Sequence, residues 1–200
     1  PNLQSFGHML HILTLPPYQH LAETKLGWSL APAVEESYRF LDELYADFLP
    51  AFSSAQFNVN CDEAWDLGRG RSRQRLAEIG AAQLYLGHIL RVRELAAARG
   101  RRIQVWADML LQYPEVIADL PADITLLDWH YEAADSYPSV ALLAEHGRRF
   151  LVCPGTSSWN TLFPRIDNAN ENIRTLAREG AAHGAAGLLN TDWGEGGHYQ

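Results

Sequence analysis

A chain of 200 residues with a formal net charge of −8, from 16 Lys+Arg against 24 Asp+Glu, has the size of one domain or a large piece of one. Its 47% hydrophobic and 20% charged content excludes a largely disordered chain. The acidic balance excludes non-specific nucleic-acid binding, which needs clustered Lys and Arg, and no apolar stretch approaches the roughly 20 residues that span a bilayer.

In chain order, Leu3–Phe6 reads as a clipped strand. Proline in the first turn and apolar residues at Val34, Tyr38, Leu41, Leu44, Tyr45 and Phe48 predict a helix over Pro32–Phe48. Gln56–Cys61 reads as a strand. Ser72–Arg99 is the longest helical stretch, with Ser72 as N-cap and Gly100 as its stop. Strands follow at Ile103–Trp106, Ile124–Trp129, Phe150–Cys153 and Gly187–Asn190, with helices between them at Pro114–Asp119, Ser139–His146 and Asn168–His183. The arginine clusters at Arg69–Arg75 and Arg99–Arg102 read as solvated helix ends. Cys61 and Cys153 sit in separate strands, which suits small core residues in a reducing compartment better than a disulfide framework. No signal peptide is legible, and cytoplasm is favoured over secretion. With Pro1 in first place, we expect the true start to lie upstream.

Strands separated by helices pair in parallel, so the fold class is α/β, either an open doubly wound sheet or an eight-stranded barrel. Gly68 and Gly70 follow a strand but lack the third glycine of a dinucleotide fingerprint, and they read as a loop rather than a phosphate cradle. The tryptophans favour the barrel. Trp65, Trp106, Trp129, Trp159 and Trp193 all lie at the carboxyl ends of strands, as do the best carboxylate candidates, and in a parallel barrel those ends converge on one face.

A rim of Trp and Tyr with carboxylates suits a sugar, whose rings present C–H faces to aromatic planes and whose hydroxyls hydrogen-bond to carboxylates. Glycoside hydrolysis typically uses two carboxyl groups flanking the bond. Asp62 and Glu63 are the candidates, although neighbours within a regular strand point to opposite faces. Both reach one substrate only if the strand has ended before them, as the loop-like AWDLGRG that follows suggests.

The segment FNVNCDEAWDLGRGRS, Phe57 to Ser72, resembles the Asp-Glu motif of family 20 glycoside hydrolases, the β-N-acetylhexosaminidases. SFGHM, Ser5 to Met9, resembles the family's Gly-His segment after the third barrel strand. TDWGEGGH, Thr191 to His198, resembles its Trp-x-Glu segment after the eighth. The resemblance implies a (β/α)8 TIM barrel, here strands 3–8, with residues 1–200 part of a single catalytic barrel domain. It also implies removal of terminal β-linked GlcNAc or GalNAc from an oligosaccharide with retention, the substrate's acetamido oxygen acting as nucleophile through an oxazoline intermediate.

On that resemblance Glu63 is the general acid/base and Asp62 binds and orients the acetamido group. Trp106, Trp129 and Trp193 enclose the sugar, Tyr131 hydrogen-bonds the acetamido oxygen, and Trp159 lines the site or the leaving-group side. Glu195 accepts sugar hydroxyls, and His8 supports Glu63. No metal or cofactor is called for, and the eight histidines offer no convincing ligand set by spacing. The family's first two strands, with their sugar-binding arginine, have no counterpart here. We therefore expect a fragment of a longer protein whose missing sequence completes the barrel. CPGTSSWN, Cys153 to Asn160, lacks the family's Tyr-x-Asp pair, which leaves the acetamido-oxygen contact open. Two alternatives stand beside this reading. One is a retaining barrel glycosidase with Asp62 or Glu63 as covalent nucleophile, and the other is a non-catalytic carbohydrate-binding barrel.

Overall fold

The computed structural model describes residues 1–159 and 161–194, in two units, Pro1–Ile124 and Thr125 onward. The first unit runs α1 (Leu10–Leu13), α2 (Glu35–Phe48), β1 (Gln56–Asn60), α3 (Arg73–Ala97), β2 (Arg102–Trp106) and α4 (Asp108–Gln112). The second runs β3 (Thr125–Trp129), α5 (Pro138–Glu145), β4 (Phe150–Cys153) and α6 (Ile166–Ala182). Strand and helix alternate as the sequence predicts, and both strand pairs are parallel. Phe57 faces Ile103 across β1 and β2, and Leu126 to Trp129 face Phe150 to Cys153 across β3 and β4. β1 is buried on both faces, Asn58 and Asn60 as well as Phe57 and Val59, which is characteristic of strands in a parallel sheet.

Helix α2 packs its Tyr38, Leu41 and Tyr45 stripe on the core, and α3 does so with Tyr85, His88, Ile89, Val92 and Ala96. Tyr45, Tyr85 and Phe57 are fully buried, and each contributes roughly 1.5–3 kcal/mol by leaving water. Their burial ties both helices to β1, the strand that leads to the Asp-Glu pair. Gly80 breaks the regular helix inside α3, with φ 81° and ψ 163°. At the end of α3 Gly100 has φ 69° and the Arg101 N–H donates to the Ala96 carbonyl, which closes the helix as expected.

Several expectations change in detail. Leu3–Phe6 forms no regular strand. A single parallel bridge joins Asn2 to Asn58, and the chain then turns away because Ser5 and Phe6 are engaged by side chains of α2 and α3. Gly187–Asn190 pairs with β4 only through bridges, Val152 with Leu188 and, further on, Gly155 with Thr191. Pro114–Asp119 is a 3₁₀ helix, and α1 and α4 are too short to leave a periodic signal. Ser72 stands at the start of α3 without capping it, because its hydroxyl oxygen accepts the N–H of Ala33. The second arginine cluster is not merely solvated. Arg99 bonds the Asp42 carboxylate of α2 at 2.6 Å, and Arg101 donates to the carbonyls of Leu49 and Phe52 and so ties down the chain that leaves α2. Cys61 and Cys153 are buried and free. No helix among the described residues is long and apolar enough to cross a membrane.

Candidate active site

The site begins with a segment that has no regular structure of its own. The Ser5 hydroxyl meets the Tyr45 hydroxyl at 2.6 Å and donates to the Leu3 carbonyl. Phe6 stacks on His88, centroids 4.0 Å apart, and the Ser5 carbonyl accepts from His88 Nε2 at 2.9 Å. That bond fixes the tautomer, leaving Nδ1 to accept from the Tyr38 hydroxyl at 3.2 Å. Burial pushes the pKa of His88 down to about 4, against the pull of the Ser5 carbonyl, so the ring is neutral at physiological pH. The Leu30 N–H donates to the Phe6 carbonyl and the Met9 N–H to the Trp28 carbonyl. Between these anchors sit Gly7 and His8. A Cβ on Gly7 would lie 2.4 Å from the Asp62 carbonyl oxygen, so only glycine allows this approach.

The second component is the end of β1. Asn60, Cys61 and Glu63 have φ of 61°, 65° and 49°, and His8 has 59°. Left-handed backbone costs an L-residue roughly 1–3 kcal/mol, so surrounding bonds must hold it. The Asn60 side chain accepts from the Trp106 indole at 2.8 Å and bonds reciprocally with Asn2. The Cys61 carbonyl accepts from Tyr85. The Glu63 N–H donates to Asp108 Oδ2 at 3.0 Å, and its carbonyl accepts the Trp28 indole N–H at 2.7 Å. The register of β1 against β2 shifts between Asn58 and Asn60, which ends the pleat just before the pair.

As a result the two adjacent carboxyl groups turn to the same place. His8 Nε2 lies 3.2 Å from Asp62 Oδ2 and 3.1 Å from Glu63 Oε2. One nitrogen facing both oxygens cannot aim its proton straight at either. Burial alone would lower the pKa of His8, but Asp62 and then Glu63 overcome it and raise it from 6.5 to about 10, so the imidazole is charged at neutral pH. The three side chains offer ligand atoms within 4.8 Å of one another, spacing that would also suit a small cation. Sequence spacing hides this set, because His8 is remote from the other two along the chain.

Trp106 is 2% exposed, and its indole supports Asn60 from within the core. In the second unit Tyr131 is the centre of an aromatic cluster. Its ring stacks on Trp129 at 5.0 Å and meets Trp159 edge-on at 4.9 Å, and its hydroxyl accepts the Trp193 indole N–H at 2.8 Å. Asn168 of α6 bonds the Tyr131 carbonyl, and Asn172 bonds the carbonyl of His130 and the Gly155 N–H. A Cβ on Gly155 would sit 2.5 Å from the Trp159 ring and 2.8 Å from that of Tyr131. Asp192 accepts from Thr156 at 2.6 Å and from Ser158. Glu195, the remaining expected contact, lies outside the described residues.

Three further features complete these surroundings. Trp28, in an irregular loop, stacks on Trp65 and touches His8. Asp108 holds the Glu63 backbone. Asp128, His130 and Ser139 cluster together, but the same His130 nitrogen meets Asp128 and Ser139, and the serine proton goes to Asp128. That arrangement positions the loop and is not a proton relay.

The chain is 26% identical to human Hexosaminidase D over 220 aligned positions, covering 100% of this chain and 45% of that protein. It thus spans about half the length of that curated relative. The fold resembles the crystal structure of a β-N-acetylhexosaminidase from Bacteroides fragilis, with TM-score 0.68 and 17% identity over 98% of this chain and 42% of that one. It likewise resembles a Streptomyces plicatus β-hexosaminidase mutant in complex with its product GlcNAc, with TM-score 0.62 and 14% identity over 94% of this chain and 40% of that one. Both likenesses carry the barrel fold expected for the α/β alternation. The sequence pattern of the glycosyl hydrolase family 20 catalytic domain matches residues 14–174, and on that match the chain belongs to family 20 of the glycosyl hydrolases.

Proposed function

We propose that the protein containing this chain removes terminal β-linked N-acetylhexosamine from glycans, with retention and with the substrate's acetamido group as nucleophile. The observation that carries the reading is the convergence of Asp62 and Glu63 on His8, at 3.2 and 3.1 Å. A left-handed chain end brings two neighbouring carboxyl groups to one point, the arrangement this chemistry uses.

In the first step the acetamido oxygen attacks the anomeric carbon while the glycosidic C–O bond breaks. Glu63 gives its proton to the departing oxygen, and Asp62 accepts the acetamido N–H, orients the group and offsets its developing positive charge. In the second step Glu63 takes a proton from water, whose oxygen attacks the anomeric carbon and opens the oxazoline ring. His8 holds the two carboxyl groups apart and in place. Trp129, Tyr131, Trp159, Trp193 and Glu195 are assigned to the sugar, Tyr131 through its hydroxyl. Trp106 acts from beneath, by holding Asn60.

The test is hydrolysis of 4-nitrophenyl β-N-acetylglucosaminide by the full-length protein, with the plain β-glucoside as control. Release from the acetamido sugar alone is expected, with strong inhibition by a thiazoline analogue of the intermediate. Glu63→Gln should lower kcat by roughly 10²–10⁴-fold. Equal turnover of both glycosides overturns the substrate-assisted mechanism in favour of a carboxylate nucleophile. Turnover of neither favours a carbohydrate-binding protein.

A further inference from the structure

Two tryptophans that this chemistry does not use lie beside the carboxyl pair. Trp65 follows Glu63 by two positions and is 57% exposed, among the largest apolar side chains left open in the described residues. Its ring lies flat on Trp28, with centroids 5.1 Å apart and planes within 6°. Trp28 is fixed on its inner side, where its indole N–H donates to the Glu63 carbonyl at 2.7 Å and its ring meets His8 at 4.6 Å. The stack is therefore clamped to the residues that carry the proposed acid.

An indole held this rigidly and left open forgoes much of the roughly 1.5–3 kcal/mol that burial of a large apolar side chain supplies. Its outer face is free, and it lines a cavity of about 300 Å³ together with Met109, Gln112 and Tyr113. A flat apolar surface next to amide and phenol groups matches a pyranose ring, with its C–H face on the indole and its hydroxyls on the polar neighbours.

We infer that the Trp28–Trp65 stack is a platform for the leaving group, taking the sugar ring attached to the glycosidic oxygen and favouring oligosaccharides over alkyl glycosides. The inference rests on Glu63 being the acid. An acid that protonates the departing oxygen lies on the leaving-group side, and the platform is built on that residue's own backbone. Trp65 is a specificity-determining residue on this account, and Trp28 positions it.

The experiment compares kcat/KM for N,N′-diacetylchitobiose and methyl β-N-acetylglucosaminide in the full-length protein and its Trp65→Ala and Trp65→Phe variants. The preference for the disaccharide should fall about five- to tenfold in Trp65→Ala, chiefly through KM, and recover in Trp65→Phe, which restores a flat ring. Equal losses on both substrates overturn the platform. A second readout does not depend on turnover. In a Glu63→Gln background, chitobiose should bind more tightly than GlcNAc, and adding Trp65→Ala should remove the difference. No gain in affinity from the second sugar while Trp65 is present also overturns it. Retained turnover in Glu63→Gln would instead sink the acid assignment, and with it the placement of the platform on the leaving-group side.

Discussion

The charge on His8 makes a prediction about stability against pH. Its imidazole is 24% exposed, and its Nε2 faces the Asp62 and Glu63 oxygens at 3.2 and 3.1 Å. Burial opposes the charged ring, the two carboxyl groups prevail, and its pKa rises from 6.5 to about 10. A group whose native pKa lies above its unfolded value stabilises fully below the unfolded value, here 6.5, and loses that contribution as pH climbs through about 10. At about 1.4 kcal/mol per pH unit, the interval sets a ceiling of about 5 kcal/mol. Partial exposure and solvent screening reduce the expected contribution to about 2 kcal/mol. His8→Gln removes the charge and keeps a polar side chain. Urea unfolding should therefore show the variant less stable by about 2 kcal/mol near pH 6, with the two proteins converging as the pH passes 10. Added salt should shrink the gap near pH 6. A gap that does not change with pH, or one that widens toward pH 10, refutes the reasoning, because a neutral packing role for His8 has no such slope.

His88 acts in the opposite direction. Its buried ring has a pKa lowered to about 4, so its contribution is present above pH 6.5 and lost as pH falls toward 4, by up to about 3 kcal/mol. Unfolding free energies over that interval should slope in the wild type and flatten in His88→Gln. Gly7→Ala drives a methyl group to within 2.4 Å of the Asp62 carbonyl, so a loss of about 1–3 kcal/mol in thermal unfolding is expected, with a fall in kcat as the carboxyl pair is displaced. Gly155→Ala pushes on the rings of Trp159 and Tyr131. It should change tryptophan fluorescence and weaken GlcNAc binding by roughly three- to tenfold, which titration calorimetry would detect.

Much of the scaffold was legible along the chain. The strand at Gln56–Asn60, the long helix before Gly100 and the strands at Arg102–Trp106 and Thr125–Trp129 stand close to where their residue patterns put them, because burial and helix stops are local properties. The run at Leu3–Phe6 was misread as a strand, since its backbone and side chains are claimed by Tyr45 and His88, which lie far along the sequence. The carboxyl candidates were legible as a motif after a strand, and the loop-like AWDLGRG that follows marked the end of that strand, but their meeting on His8 was not legible. Within a regular strand Asp62 and Glu63 would point apart, so a shared target requires the strand to end before them.

The sequence by itself determined the alternation of strand and helix, the aromatic residues after the strands and the presence of an acidic pair where β1 ends. Only the tertiary structure decided that both carboxyl groups meet one histidine and that Trp28 and Trp65 lie flat together beside them. The reason is energetic. Positive φ at His8, Asn60, Cys61 and Glu63 is unfavourable for each residue alone. It persists because Trp106, Tyr85, Asp108 and Trp28 satisfy the backbone and side-chain groups exposed by that turn. Those partners come from β2, α3, α4 and a loop, so no window of neighbouring residues contains the forces that shape the site.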